Sequence, residues 1–421
     1  TVQFQQRIDQ APANKAGRAG HDHALACKPV AGAGVHVFFG HVRRFNILNA
    51  LCNNSALFSK LCRPGLSAHH SGIYHLVTTD PYAKPVALEW ILLVRGFFMQ
   101  ILITGGAGFI GSHLAERLIG NGHEVTVLDD LSTGSLQNLS SVQDHSAFRF
   151  VEGSVLDTGL VEELVGVADA VFHLAAAVGV KLIMDQPSQS IATNVDGTQN
   201  VLRAALRHKP LVFIASSSEV YGKASKFPFN EDDDLTIGAT SILRWSYACA
   251  KTLDEFMALA YAREVDLPVI VLRFFNTTGP RQTGRYGMVV PNFIEAALSG
   301  QPIQVHGTGE QSRCFSHVAD VIEALMRLLD VPEARGQVFN IGGEQEVTIR
   351  GLAEKVIAAT GSASEIRLVP YEEVYPEGFE DMARRLPDVS KLRRFTGFSP
   401  ARTLDDIIAD IMAEKRAKAY A

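Results

Sequence analysis

Eight residues, Thr104-Gly-Gly-Ala-Gly-Phe-Ile-Gly111, constrain this chain more than any others. They satisfy two glycine spacings at once, Gly105-x-x-Gly108-x-x-Gly111 and Gly106-x-Gly108-x-x-Gly111. An apolar run, Gln100 to Thr104, precedes them, and a helical pattern, Ser112 to Asn121, follows. Glycines at such a turn let backbone approach a diphosphate, whose charge is met by the amides that open the helix. A tight strand-to-helix turn would explain a lone glycine motif, but the strand before and the helix after fit the phosphate role better.

The same rhythm recurs. Further strands are expected at Glu124 to Leu128, Phe148 to Glu152, Ala170 to Leu174, Leu211 to Ala215 and Val269 to Phe274, with helical stretches between them. Right-handed crossovers then give an α/β, doubly wound parallel sheet of the Rossmann type. Beyond about residue 275 the pattern loosens. Turn-rich stretches alternate with helical pieces at Pro291 to Leu298, Val318 to Leu329 and Ile349 to Thr360, and predict a smaller α/β lobe for substrate. The expected organisation is 1–98 as a leader of uncertain structure, 99–275 as a dinucleotide-binding domain with the catalytic residues, and 276–421 as mainly a substrate lobe. Met99 stands just before the first strand, so the functional protein is expected to begin there.

Asp129 ends the second strand, where a carboxylate accepts hydrogen bonds from the adenosine ribose and repels a 2′-phosphate. NAD is therefore expected over NADP. Asp130 beside it reads equally well as a loop or cap carboxylate. Tyr247 and Lys251 lie four apart, on one helical face, so the ammonium is expected to favour the phenolate of a base whose ordinary pKa is near ~10. That pair suits hydride chemistry on a carbinol, where the hydroxyl proton must also leave. His173 reads as a strand-end hydrogen-bonding residue.

Composition narrows the partners. The 421 residues carry a formal charge of -6 and no basic block, which gives no reason to expect nucleic acid or an anionic membrane surface. The most apolar stretch, Val86 to Thr104, is interrupted by Glu89 and Arg95 and predicts no membrane span. Five cysteines without a CxxC pair suit a reducing cytoplasm. His21, His23 and Cys27 lack the second close pair a tetrahedral zinc site needs, so no metal is expected.

In order along the chain stand His173-Leu-Ala-Ala176, Asn194-Val-Asp-Gly-Thr198, Ser217-Ser-Glu-Val-Tyr-Gly222, Tyr247-x-x-x-Lys251, Phe275-Asn-Thr-Thr-Gly-Pro-Arg281 and Arg313-Cys-Phe-Ser-His-Val-Ala-Asp320. With the glycine loop, they resemble the extended short-chain dehydrogenase/reductase family of nucleotide-sugar epimerases, dehydratases and decarboxylases, from about Met99 to Ala413. The resemblance implies NAD contacts from Gly105, Gly108, Phe109, Ile110, Gly111, Asp129, Asp130, Val155, Ala175, Asn194, Tyr247 and Lys251. It implies transient oxidation at C4 of a nucleotide-linked sugar, with Tyr247 as base and then acid, and Ser217 bridging sugar hydroxyl and phenol. Ser218, Asn276, His306, Arg313 and Arg385 are the implied substrate residues, with Asn276 and the two arginines toward the diphosphate and His306 toward a uracil. Ser154 replaces an acidic residue that many relatives place near the adenine. Relatives commonly pair as homodimers through helices that include the one carrying Tyr247.

Glu219 divides the possible reactions. It resembles the catalytic Glu of UDP-glucuronate decarboxylases, as do the Arg244-Trp-x-Tyr247 approach and the Arg before the Pro near Arg385, whereas Ser217 in place of Thr is more typical of epimerases. The 4,6-dehydratases place Asp before that Glu, where this chain has Ser218. The balance leans narrowly to UDP-hexose 4-epimerase, with UDP-glucuronate decarboxylase and dehydratase as alternatives. Glu219 as a cap on backbone amides, and an NAD-sensing scaffold without catalysis, are the non-catalytic readings.

Overall fold

A computed structural model describes residues 98–285, 287–375 and 379–419. Residues 1–97, with His21, His23 and Cys27, lie outside the described residues, and with them almost all of the expected leader. Among those described, no helix is long and apolar enough to cross a membrane.

Seven parallel strands form the central sheet: β1 (Gln100–Thr104), β2 (Glu124–Asp129), β3 (Phe148–Glu152), β4 (Ala170–His173), β5 (Leu211–Ser217), β6 (Val269–Phe274) and β11 (Gln337–Ile341). Their spatial order is β11-β6-β5-β4-β1-β2-β3. The direction of winding changes between β1 and β4, and ligands of open α/β sheets bind in the crevice at such a switch. Alternate residues of each strand serve opposite faces. Ile101, Ile103, Phe172, Phe213, Ile270 and Leu272 pack with α1 (Phe109–Gly120) and α7 (Val318–Leu329). Leu102, Val171, Val212, Ile214, Val269 and Val271 pack with α2 (Thr158–Val165), α4 (Pro187–Ala205) and α5 (Ser246–Val265). Burial on both faces explains why these strands read as continuous apolar runs.

Strand β5 runs two residues past its expected end, which carries Ser217 to the edge of the crevice. Helix α1 begins at Phe109 rather than Ser112, because Gly108 already stands at its cap. The strand β11 is absent from the sequence reading: five residues between a turn and a loop give too little alternation to mark a strand. With α7, which packs on α1, it brings chain from beyond 275 into the sheet domain.

The other lobe assembles α6 (Val289–Leu298), α8 (Ile349–Thr360) and α11 (Leu404–Ala419) around Ile303 and Val305 of β8 (Ile303–His306). There β9 (Ser312–Cys314) pairs antiparallel with β12 (Glu346–Thr348) and parallel with β14 (Arg384–Arg385). The register places Arg385 opposite Arg313.

Candidate active site

The glycine loop lies close against the segment that follows β4. A Cβ on Gly105, at φ +71°, would lie 2.7 Å from the Ala175 nitrogen, and one on Gly111 would lie 2.5 Å from the Gly105 carbonyl oxygen. Only glycine permits that approach. No side chain caps the N-terminus of α1, which leaves the first amides of the helix without a capping acceptor, the condition an anion site requires. Ala175 donates its amide to the Thr104 hydroxyl at 3.3 Å. Val155 is buried against Gly197, and Ser154 closes its own turn by accepting from the Leu156 amide.

Asp129 is buried, and its two oxygens accept from the Ala107 amide (2.9 Å) and the Leu131 amide (2.8 Å). It anchors the phosphate loop to the end of β2; burial pushes its carboxyl up, against those two bonds. Asp130 is exposed and accepts from the Ser132 amide, a local turn. Asn194 is fully buried and braces the loop after β4, accepting from the Ala177 amide at 2.8 Å and donating to the Ala177 carbonyl at 3.3 Å.

Ser217 caps the 3-10 turn Ser218–Tyr221, its hydroxyl accepting from the Glu219 amide at 3.3 Å. Tyr247, at the first turn of α5, is buried with Ser217 among the groups that act on its phenol. The expected acidification of the phenol by Lys251 is not what its surroundings produce. Burial first, then the Glu219 charge, hold the phenol above its ordinary value, against the Ser217 hydrogen bond and Arg244. Lys251 is 1% exposed, and its ammonium pairs with Asp254 Oδ2 at 3.0 Å, three residues along the same helix.

Behind Lys251 lies His173, whose tautomer follows from its partners. The Thr198 hydroxyl donates to the Asn194 carbonyl (2.7 Å), so it accepts from His173 Nε2 (3.1 Å), and Nδ1 accepts from the Thr104 hydroxyl (2.8 Å). Burial and the nearby Lys251 charge bring the imidazole down to about 3 and keep it neutral. His173 thereby joins the end of β1 to α4.

Glu219 does not cap backbone amides. Its carboxylate is held in a fork by Arg244, with one contact to Nη1 and another of 2.9 Å to Nη2, and meets Arg385 at 3.1 Å. Burial works to raise this carboxyl, but Arg244 and Arg385 outweigh it and bring it down to about 2. Arg313 pairs with Asp381 at 2.8 Å, and burial, then Arg385, push it down to about 10. Three buried guanidiniums thus face two carboxylates. Asn276, at φ +35°, donates its amide to the Cys314 carbonyl, and half-buried His306 packs edge-on to Tyr375.

Sequence reasoning did not single out Asp254, Asp381 or Arg244 as site residues. The spacing of Lys251 and Asp254 on one helix was a usable signal. Asp381 offered none, because its contact with Arg313 spans 68 residues.

Residues 101–342 match the model of the NAD dependent epimerase/dehydratase family. A UDP-N-acetyl-alpha-D-glucosaminuronate decarboxylase of Bacillus cytotoxicus is 47% identical over 302 residues, 72% of this chain and 92% of that protein. UDP-glucuronic acid decarboxylase 1 of Danio rerio is 35% identical over 73% of this chain and 70% of its own length. Among solved structures, the UDP-glucose 4-epimerase of Thermotoga maritima aligns with a TM-score of 0.69 at 30% identity, covering 76% of this chain and 100% of that one. The chain belongs to the NAD-dependent epimerase/dehydratase family, and NAD is its cofactor.

Proposed function

We propose that this member of the NAD-dependent epimerase/dehydratase family decarboxylates a UDP-linked uronic acid by way of a 4-keto sugar. The observation that carries the reading is the buried set Arg244, Arg313, Arg385 and Glu219 with half-buried Asp381, whose excess of one positive charge suits an anionic UDP-linked substrate. Both curated decarboxylase relatives point the same way, and they favour this reading over the 4-epimerase expected from Ser217.

Bound NAD, its diphosphate held by the glycine turn Gly105 to Gly111, would supply the hydride acceptor and donor at C4. The chain does the rest. Tyr247 first gives up its phenolic proton to solvent, and the phenolate then takes the C4 hydroxyl proton by way of Ser217. The ketone at C4 then stands β to the C6 carboxylate, so the electrons of the C5–C6 bond can enter the carbonyl as carbon dioxide leaves. Tyr247 hydrogen-bonds the resulting enolate oxygen, C5 takes up a proton from water, and Tyr247 returns its own proton to the C4 oxygen as C4 is reduced. Arg313 and Arg385 are assigned to the diphosphate, with His306 toward the base. Glu219, held ionised, is a poor acid for expelling a C6 hydroxyl, which weighs against dehydration. We further assign a homodimer through α4 and α5, whose outer faces expose Ile191, Leu253 and Phe256.

A second reading, 4-epimerisation, keeps Ser217 and the 4-epimerase neighbours in its favour. The test is incubation with UDP-glucuronate, UDP-N-acetylglucosaminuronate and UDP-glucose, with products identified by mass and NMR. Release of carbon dioxide from a uronate is the expected result; an isomer of unchanged mass overturns decarboxylation in favour of epimerisation.

A further inference from the structure

The two arginines on Glu219 are not equivalent. Arg244 presents both terminal nitrogens to both carboxylate oxygens, and its side chain is 1% exposed. Arg385 makes one contact to Glu219 at 3.1 Å, sits 3.7 Å from Asp381, and is 10% exposed. A planar fork on a planar carboxylate fixes orientation as well as charge, whereas a single contact does not.

The elements that the fork joins matter as much as the contact. Arg244 lies in the 3-10 turn Leu243–Trp245, which runs directly into α5 and so into Tyr247. Glu219 lies in the 3-10 turn that Ser217 caps. The ion pair is therefore a cross-tie between the two segments that carry Ser217 and Tyr247.

We propose that Arg244 is a positioning residue: it clamps Glu219, fixes the Ser217–Tyr247 pair through the two turns, and leaves Arg385 as the exchangeable partner that can turn to an anionic substrate. Arg244 touches neither sugar nor cofactor in this assignment. Its charge also offsets that of Glu219 at the phenol, since Glu219 raises Tyr247 and Arg244 lowers it. The inference deepens the proposed reaction and rests on Tyr247 being its base.

The test compares wild type, Arg244→Lys, Arg244→Met and the double variant Arg244→Met/Glu219→Gln. Turnover of the UDP-uronates gives kcat and KM across pH, and near-ultraviolet difference spectra, referenced to Tyr247→Phe, follow ionisation of the Tyr247 phenol without turnover. Removing one partner of a buried pair leaves an uncompensated charge, whereas removing both is far milder, so the double variant guards against a folding failure of the single one. Arg244→Lys keeps the charge and loses the fork.

Expected for Arg244→Met is a fall in kcat of roughly a hundredfold, the cost of small misplacement at a reacting centre. KM stays near wild type, and both the pH–rate profile and the phenol titration move to higher pH. Arg244→Lys is expected to lose kcat with a smaller pH shift. The double variant is expected to bring the phenol titration back toward wild type. Wild-type kcat and phenol titration in folded Arg244→Met would overturn the proposal, as would a loss confined to KM, or a double variant titrating like Arg244→Met. If the wild-type enzyme releases no carbon dioxide, the reaction assignment fails, while the phenol titrations still decide the role of Arg244.

Discussion

At the scale of single residues, the site holds its ionisable groups in the states the geometry dictates. The Tyr247 phenol stays protonated beside Ser217 because burial and Glu219 oppose its anion more than Ser217 and Arg244 favour it. Replacing Tyr247 with Phe should lower turnover by roughly 10²–10⁴-fold, the usual contribution of an acid–base group, with NAD still bound as read by fluorescence titration. Retained turnover would remove Tyr247 from its assigned role. His173 makes a separate prediction about stability. Its folded value of about 3 lies below its ordinary 6.5, so protons favour the unfolded chain. The stabilisation is present in full above pH 6.5 and declines as pH falls toward 3, by about 1.4 kcal/mol per pH unit within that window. Urea unfolding of His173→Gln should therefore show a shallower loss of stability than wild type between about pH 6 and pH 4. Equal slopes would mean that the imidazole is not buried neutral.

At the scale of elements, helix α5 and the phosphate turn organise the site in different ways. Tyr247, Lys251, Asp254 and Glu255 all stand on α5. Glu255 accepts from Arg273 of β6 (2.7 Å to Nη2) and from the Ser216 hydroxyl beside Ser217, while Arg273 Nη1 donates to the Tyr221 hydroxyl at 2.9 Å. One buried carboxylate so ties α5 to β5, β6 and the turn bearing Glu219. The phosphate turn depends instead on an absent side chain. Gly105→Ala would place its Cβ 2.7 Å from the Ala175 nitrogen at φ +71°. A left-handed non-glycine residue costs about 1–3 kcal/mol before the clash is counted. Calorimetry should show a lower Tm together with NAD binding weakened by about tenfold or more, since about 1.4 kcal/mol of displacement at the loop is already tenfold. Unchanged NAD affinity would mean that the loop does not carry the diphosphate.

At the scale of the whole molecule, α5 has a second face. Cys249, Leu253 and Phe256 fall at helical spacing, and all three are exposed, Phe256 at 67%. On α4, which packs against α5, Ile191 is exposed as well. Apolar side chains grouped on paired helices suit an isologous contact with a second copy. Phe256→Lys is expected to shift the protein toward monomer in sedimentation velocity; a wild-type monomer, or an unaffected dimer, would dismiss that interface. The parallel sheet was legible because strands buried on both faces spell continuous apolar runs, and the phosphate turn because glycines there have no substitute. The family motifs placed Ser217, Tyr247 and Lys251. Sequence said less about what each of them touches. Spacing put Lys251 on the face of Tyr247, but Asp254, one turn on, took its ammonium. The strand β11 joined the sheet from beyond residue 275, a return that five residues could not announce. What the sequence determined by itself was therefore local: periodicity, turns and the order of motifs, all set by neighbouring residues. The charge state of Glu219, the fork from Arg244 and the meeting of Arg313 with Asp381 were decided only by the tertiary structure. Desolvation and Coulomb attraction depend on distance in space, and residues 25 and 68 positions apart come together only when the chain is folded.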